Sequence, residues 1–273
     1  MVKIVKIKYI ENGRFGNQVL SIILALHYGI KFAYDMVELP EKKFKYISKK
    51  NILLNNSSSS KDIYIKEMPF FWDVNFSSIG IIQSKDKVLN IMRSIYELPK
   101  PNKLSDTNTL HIHIRSGDIM ETGVNPTMIQ PPLAYYENEI KKEKWKTVKI
   151  ISEDKKNPCI GILVEKYEKV MYYGENTLED DISEILSAHT IMIGRGTFMP
   201  LLLLFSLNIK NIHFPLDGDY TMHYLLRCYF KDLLIEHGEY SHYYKHIKNI
   251  GWWDGKSPEV RNSIINAKPN KKL

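Results

Sequence analysis

The alternation of apolar and polar positions is clearest in the second half of the chain. Short apolar runs at 110–114, 148–152, 169–173, 190–194 and 211–214 have strand length. Between them the apolar residues recur every three or four positions, which predicts helices at 132–145, 158–167, from 177 onward, and at 197–207. Two of these helices carry their own start signals. Asn157 precedes Pro158 at a first helical position, and Thr177 is followed three residues on by Asp180 in a capping-box arrangement. Ile182, Ile185 and Leu186 form the buried stripe of the second, and Pro200 falls in the tolerant first turn of the helix predicted at 197–207. Strand–helix alternation over five strands predicts a doubly wound, parallel α/β domain. Such sheets bind ligands at the carboxyl ends of their strands. The loops after 114, 152, 173, 194 and 214 are therefore where chemistry is expected.

The first half is less regular. Lysines alternate with Val and Ile over 1–10, which predicts a strand, and an apolar stretch at 17–33 predicts a helix. Residues 55–62 form a serine-rich loop, 63–65 and 79–82 read as short strands, and 87–96 as a helix stopped by Leu98-Pro99-Lys100-Pro101. The stretch 99–108 has linker composition. The expected organisation is an α/β half over 1–105, a Rossmann-like half over 106–220, and a helical, aromatic segment over 221–273, with a helix near 224–237 and a frayed basic end.

Composition narrows the class. With 273 residues, 44% hydrophobic and 25% charged, the chain is an ordinary globular protein and neither disordered nor collagenous. Thirty-eight basic against 31 acidic residues give a net charge of +7, which favours an anionic partner. The two cysteines, Cys159 and Cys228, sit in apolar patterns and read as buried thiols with no zinc-type spacing. No apolar run approaches the roughly 20 residues of a membrane span. The expectation is a cytoplasmic protein without a membrane anchor.

Four segments have the residue types that chemistry needs. Gly13-Arg14-Phe15-Gly16-Asn17-Gln18 joins a strand to a helix. Its glycines permit a tight turn, and the helix start offers free N–H groups to an anion or a sugar hydroxyl. The plainer reading is a turn with Asn17 as the cap. His111-Ile112-His113-Ile114-Arg115-Ser116-Gly117-Asp118 places His111, His113 and Arg115 on one face of a strand that should be apolar on both. Arg115 suits a phosphate, and Asp118 just beyond suits a base. Ser152-Glu153-Asp154 ends the next strand with two carboxylates that can take sugar hydroxyls, or simply form a turn. Gly194-Arg195-Gly196-Thr197-Phe198 runs from a strand end into a helix, the form of a phosphate cradle without a P-loop lysine.

Taken in order, these segments resemble the motifs of the fucosyltransferase superfamily, which includes the α1,2-, α1,6- and protein O-fucosyltransferases. Residues 13–18 resemble its G-x-F/L-G-N-Q signature, 113–118 its H-x-R-x-G-D motif, 152–154 its acidic strand end, and 188–205 its late strand–S/G-T-F–helix motif. The resemblance implies a GT-B-type glycosyltransferase with two Rossmann-like halves, inverting, and without a metal cofactor. It implies a nucleotide-sugar donor, GDP-fucose, and a glycan acceptor. It makes Arg115 the group that neutralises the leaving diphosphate, Asp118 the first candidate for general base, and Glu153 and Asp154 the next. His113, Gly196, Thr197 and Phe198 would shape the donor site, with Arg14, Gly16 and Asn17 closing over it from the other half. Ser116 stands where many members carry a second Arg, and 195–197 departs from a Ser/Asn-rich segment; a UDP-linked sugar is the alternative donor. The lack of an anchor suggests a bacterial-type or viral enzyme.

Two rival readings follow from other residues. Asp217-Gly218-Asp219 can hold a divalent metal on a nucleotide diphosphate, although Asp-Gly is also a common turn. Tyr240, Tyr243, Tyr244, Trp252 and Trp253 can stack bases or sugars in a basic binding module that is not an enzyme, or can be an apolar tail packed on the core.

Overall fold

The computed structural model describes residues 2–7, 14–40, 46–47, 49, 51–55, 63–68, 76–79, 81–122, 128–216, 221–251 and 253–270. In chain order its elements are β1 (Val2–Ile7), α1 (Phe15–Lys31), β2 (Met36–Glu38), β3 (Asn51–Leu53), β4 (Ile63–Met68), α2 (Ile81–Ile95), β5 (Thr109–His113), α3 (Leu133–Ile140), β6 (Thr147–Ser152), α4 (Pro158–Lys166) and β7 (Val170–Gly174). These are followed by α5 (Leu178–Ser187), β8 (Thr190–Ile193), α6 (Phe198–Leu202), β9 (Asn211–Pro215), α7 (Thr221–Phe230), β10 (Leu234–His237), α8 (Ser241–Asn249) and α9 (Pro258–Asn266). The chain forms two compact units. The first contains Met1–Leu98, Pro200–Phe205 and Thr221–Lys231, and the second contains the remainder.

The first unit is built on a four-stranded mixed sheet, β3-β2-β1-β4, in which β1 runs parallel to both neighbours and β3 is antiparallel. Helix α1 is apolar on nearly every side, and Val19, Leu20, Ile22, Ile23, Leu24 and Leu26 are all buried. It packs on β1 and β2 on one side and against α2 on another. Its one buried imidazole is fully partnered. His27 Nδ1 lies 2.7 Å from Ser84 Oγ of α2, and Nε2 lies 2.7 Å from Tyr229 Oη of α7. Three helices thus meet on a single ring.

The second unit has a six-stranded, all-parallel sheet in the order β10-β9-β8-β5-β6-β7. The first strand sits centrally, the next two extend to one side and the last three to the other. This is the strand order of the doubly wound nucleotide-binding sheet. One face is buried by α3, α4, α8 and α9 around Ile112, Val148, Ile150 and Met192. The expected caps form as the sequence implies. Asn157 Oδ1 accepts from the Cys159 amide at 3.1 Å, and Thr177 and Asp180 exchange both bonds of a capping box.

Several elements differ from the sequence-based expectation. In place of the strand expected at 79–82, Ile79 ends a 3₁₀ turn (Phe76–Ile79) and Ile81 and Ile82 begin α2. The buried positions Ile81, Ser84, Val88, Met92 and Ile95 recur with helical spacing, and Ile82 faces solvent. The predicted helix at 224–237 divides: α7 ends at Phe230, and Leu234–His237 pairs with β9 as a sixth strand. Helix α6 covers only Phe198–Leu202 before a 3₁₀ turn. Near the C-terminus, α9 forms beyond the aromatic segment, Asn270 bonds back to Ser241 and to the Glu239 carbonyl, and residues 271–273 of the basic end expected to fray lie outside the described residues. Residues 221–231 belong to the first unit and 232–270 to the second. Among the described residues no helix is long and apolar enough to cross a membrane. Cys159 is buried and Cys228 partly so, both as free thiols.

Burial lowers the pKa of His27 to about 4. The unfolded chain takes up this proton as pH falls below about 6.5, and the folded chain does so only near 4, so stability falls as pH drops through that window. The ring accounts for a loss of up to about 3 kcal/mol. Thermal melts from pH 7 to 4 are expected to fall more steeply for wild type than for His27→Asn, which starts from a lower melting temperature at pH 7. Parallel curves would remove His27 from the acid sensitivity.

Candidate functional site

The strand order reverses between β5 and β8, and the crevice beyond their carboxyl ends is the ligand position of such sheets. Two of the sequence motifs end there. His113 closes β5 and leads to Arg115, and β8 leads through Gly194 and Arg195 to Gly196. They meet: a Cβ placed on Gly196 would lie 3.1 Å from Arg115 Nη1. Gly196 has φ +139°, a conformation L side chains rarely adopt, so its lack of a side chain serves both the turn and the approach of the guanidinium. Arg115 Nη1 also touches the Met128 sulfur at 3.7 Å, and Nη2 faces Asp118 Oδ1 at 3.6 Å. Its side chain remains 23% exposed, so the crevice can present it to a ligand. His113 stacks obliquely on Phe198 with ring centroids 5.8 Å apart. Burial, with Arg115 adding to it, lowers the His113 pKa to about 3, so the ring is neutral at physiological pH.

The loop after β5 is locked to the next strand and helix. Asp154 Oδ1 accepts from the Ser116 hydroxyl, from the Gly117 amide at 3.1 Å and from the Lys156 amide at 3.0 Å. Burial alone would raise the Asp154 pKa, but these bonds hold it below the ordinary carboxylate value. Asn157 donates its amide to Ser116 Oγ at 2.9 Å and its side-chain N–H to the Arg115 carbonyl at 3.1 Å. The residue read from sequence only as a helix cap therefore also fixes the backbone of Arg115. Gly117 adopts φ +58°, and a Cβ there would fall 2.0 Å from Glu153 Oε1, so Glu153 packs where only glycine fits. Ser116, which stands in place of an expected Arg, is buried and belongs to this lock.

Of the residues named from sequence, the second unit brings His113, Arg115, Asp118, Glu153, Asp154, Gly196 and Phe198 into these contacts, with Thr197 between the last two. Asp154 is a framework residue by its geometry. Asp118 is exposed beside Arg115. Arg14, Gly16 and Asn17 belong to the first unit. Helix α1 starts at Phe15, with Arg14 exposed and extended at the cap position. Asn17 is therefore the third helical residue and not the cap, its carbonyl accepting from Ser21 Oγ at 3.0 Å. Gly13 of the same motif, and Asp217, Gly218 and Asp219 of the metal-dependent reading, lie outside the described residues. Trp252 does too. The other candidate stacking residues, Tyr240, Tyr243, Tyr244 and Trp253, are buried in the core of the second unit, and Tyr243 and Trp253 donate to the carbonyls of Gln130 and Ile119. They offer no stacking surface, which corrects the base- or sugar-stacking reading for these four.

One further acid was not picked out in the sequence. Asp181, in the first turn of α5, has a buried Oδ1 without a hydrogen bond. Burial raises its pKa to about 7, with Asp180 and Glu153 adding to the shift. In the sequence it looks like one more acidic residue at a helix start, and only the fold shows its second neighbour, Glu153, just beyond β6. The chain matches no protein-family model and no curated protein sequence.

Two outcomes follow. Gly196→Ala should cost about 1–3 kcal/mol of stability from backbone strain and displace Arg115; an unchanged melting temperature would contradict the crowding described. For Asp181 the folded pKa exceeds the unfolded one, so its contribution to stability is lost as pH rises from about 4 through 7. Asp181→Asn should melt higher than wild type at pH 8 and no differently at pH 4. The reverse order would show that the carboxyl is not held protonated.

Proposed function

We propose that the protein is a glycosyltransferase of the fucosyltransferase superfamily type, with a GT-B organisation. In this reading it moves a sugar, fucose from GDP-fucose, to a glycan hydroxyl with inversion. The observation that carries the reading is Arg115 lying against Gly196 across the switch point of the parallel sheet. An arginine with both terminal nitrogens near that crevice can pair bidentately with a diphosphate. The glycine-containing turn before α6 lets the guanidinium lie against the backbone, so a phosphate paired to Arg115 would sit beside that turn.

In the proposed reaction the acceptor O–H loses its proton to a carboxylate, its oxygen bonds to the anomeric carbon, and the bond from that carbon to the diphosphate breaks. GDP leaves with the bond's electron pair. Arg115, already positioned by Asn157 and the Asp154 lock, neutralises the developing charge without rearranging. Neutral His113 and the Phe198 ring pack beside the diphosphate. Asp118, exposed next to Arg115, is the proposed base, and Glu153 is the alternative. Asp154 is occupied in holding the loop. The roles of Arg14, Gly16 and Asn17 toward the donor rest on their motif alone. The same diphosphate geometry suits a UDP-sugar, so the donor base and sugar are decided by experiment.

Calorimetry with GDP, GDP-fucose, UDP and UDP-sugars, in EDTA and in Mn²⁺, tests this directly. GDP-fucose is expected to bind in EDTA and to weaken by at least about tenfold in Arg115→Ala, the cost of a lost charge-assisted bond. Asp118→Asn should retain binding and lose transfer. Binding that appears only with Mn²⁺, or that survives Arg115→Ala unchanged, would overturn the reading.

A further inference from the structure

The second unit carries a groove separate from the β5–β8 crevice. It has a volume of about 320 Å³ and lies between α5, the segment 101–106 and the open face of β6 and β7. That size falls within the range of small-molecule sites. Strand β7 is the edge of the sheet, and on this face Met171 is half exposed. The floor is formed by Lys149 and Tyr173, and one wall by Asp180, Ser183 and Glu184.

The groove lining carries both signs of charge, Lys103 and Lys149 against Asp106, Asp180 and Glu184. Lys149 Nζ lies 2.6 Å from Glu184 Oε1, and His111 Nε2 lies 2.8 Å from the same oxygen. Burial would raise the Glu184 pKa, but these partners lower it to about 2, so the carboxylate is ionised at neutral pH. Asp180 is engaged in the Thr177 cap. An anion entering would meet Asp106, Asp180 and Glu184, and a cation would meet Lys103 and Lys149. An uncharged ligand meets neither penalty.

The groups left for such a ligand are polar and fixed. Both bonds to Glu184 fall on Oε1, and Oε2 carries no bond among the described residues. His111 itself is fully buried, and among the described residues its bonded nitrogen is Nε2, which faces Glu184 Oε1 and, at 3.3 Å, Ser105 Oγ. The carboxylate is thus braced from behind by an imidazole and an ammonium. Tyr173 also lines the groove, with Lys149 Nζ 5.8 Å from its ring centroid on one side, and the negative π-cloud of an aromatic ring attracts the C–H face of a sugar ring. Asn102 on the opposite wall supplies both a donor and an acceptor.

We propose that this groove is a binding subsite for a neutral, hydroxyl-rich ligand, a short saccharide, with hydroxyls donating to Glu184 Oε2 and a ring face resting on Tyr173. The proposal is independent of the transfer reaction: a saccharide is held here whether or not the β5–β8 crevice takes a nucleotide sugar.

Saturation-transfer NMR on the full chain tests it with methyl fucoside, lactose and maltotriose, and with glucuronate and glucosamine as charged controls. At least one neutral saccharide is expected to bind at millimolar concentration, more tightly than either control. Tyr173→Ala and Asn102→Ala, both at the groove surface, should each weaken it by about fivefold, the effect of one lost contact. Tyr173→Phe should retain binding, and thermal melts check that the variants stay folded. Arg115→Ala should leave saccharide binding intact, which separates this site from the donor crevice. No binding of any neutral saccharide, preference for a charged control, or binding unchanged in folded Tyr173→Ala and Asn102→Ala would overturn the proposal.

Discussion

Asp154 fixes the end of the central strand. One of its oxygens takes three donors, two of them from the loop that follows β5. Without it Ser116 and Gly117 would lose their side-chain anchor in the loop after β6, and the Ser116 hydroxyl that the Asn157 amide reaches would lose its acceptor. Arg115 stands immediately before that anchor, and its carbonyl is bound by Asn157. The guanidinium is therefore presented by a backbone tied at two points. The side chain itself is held by Met128, Asp118 and the close approach to Gly196, which leaves a guanidinium so placed less rotational freedom to lose if it takes up an anion.

The lock also explains why the acids near the crevice behave differently. Asp154 is hydrogen-bonded and stays ionised, and Asp181 is buried without a hydrogen bond to Oδ1 and holds its proton to about 7. Glu153 lies between these environments, packed against Gly117 and contributing to the shift of Asp181. Carboxyls pushed apart in this way are what a proton-transferring site requires, and a structural ion network produces the same pattern. The position of the group at the carboxyl edge of a parallel sheet favours the functional interpretation.

Much of this was legible in the sequence because the signals are local. The parallel strands from 109 to 215 announce themselves as apolar runs, and the caps at Asn157 and Thr177 need only neighbours within three residues. His113 and Arg115 stood out as polar residues on a strand that should be apolar. What was not legible depends on distant pairing. Strands β2 and β3 have three residues each and exist through their partners, and β10 forms only because β9 lies beside it. The contact of Arg115 with Gly196 joins residues 81 positions apart, and no spacing rule contains it. The aromatic cluster near the C-terminus was ambiguous for the same reason: nothing local distinguishes a ring that faces solvent from one that closes a core.

The central claim is that the end of β5 and the turn after β8 together hold a diphosphate. A crystal structure of the protein soaked with GDP tests it most directly. The account predicts the diphosphate within hydrogen-bond reach of the Arg115 guanidinium and against the turn at Gly196. A diphosphate bound elsewhere, with Arg115 still paired to Asp118, would contradict it.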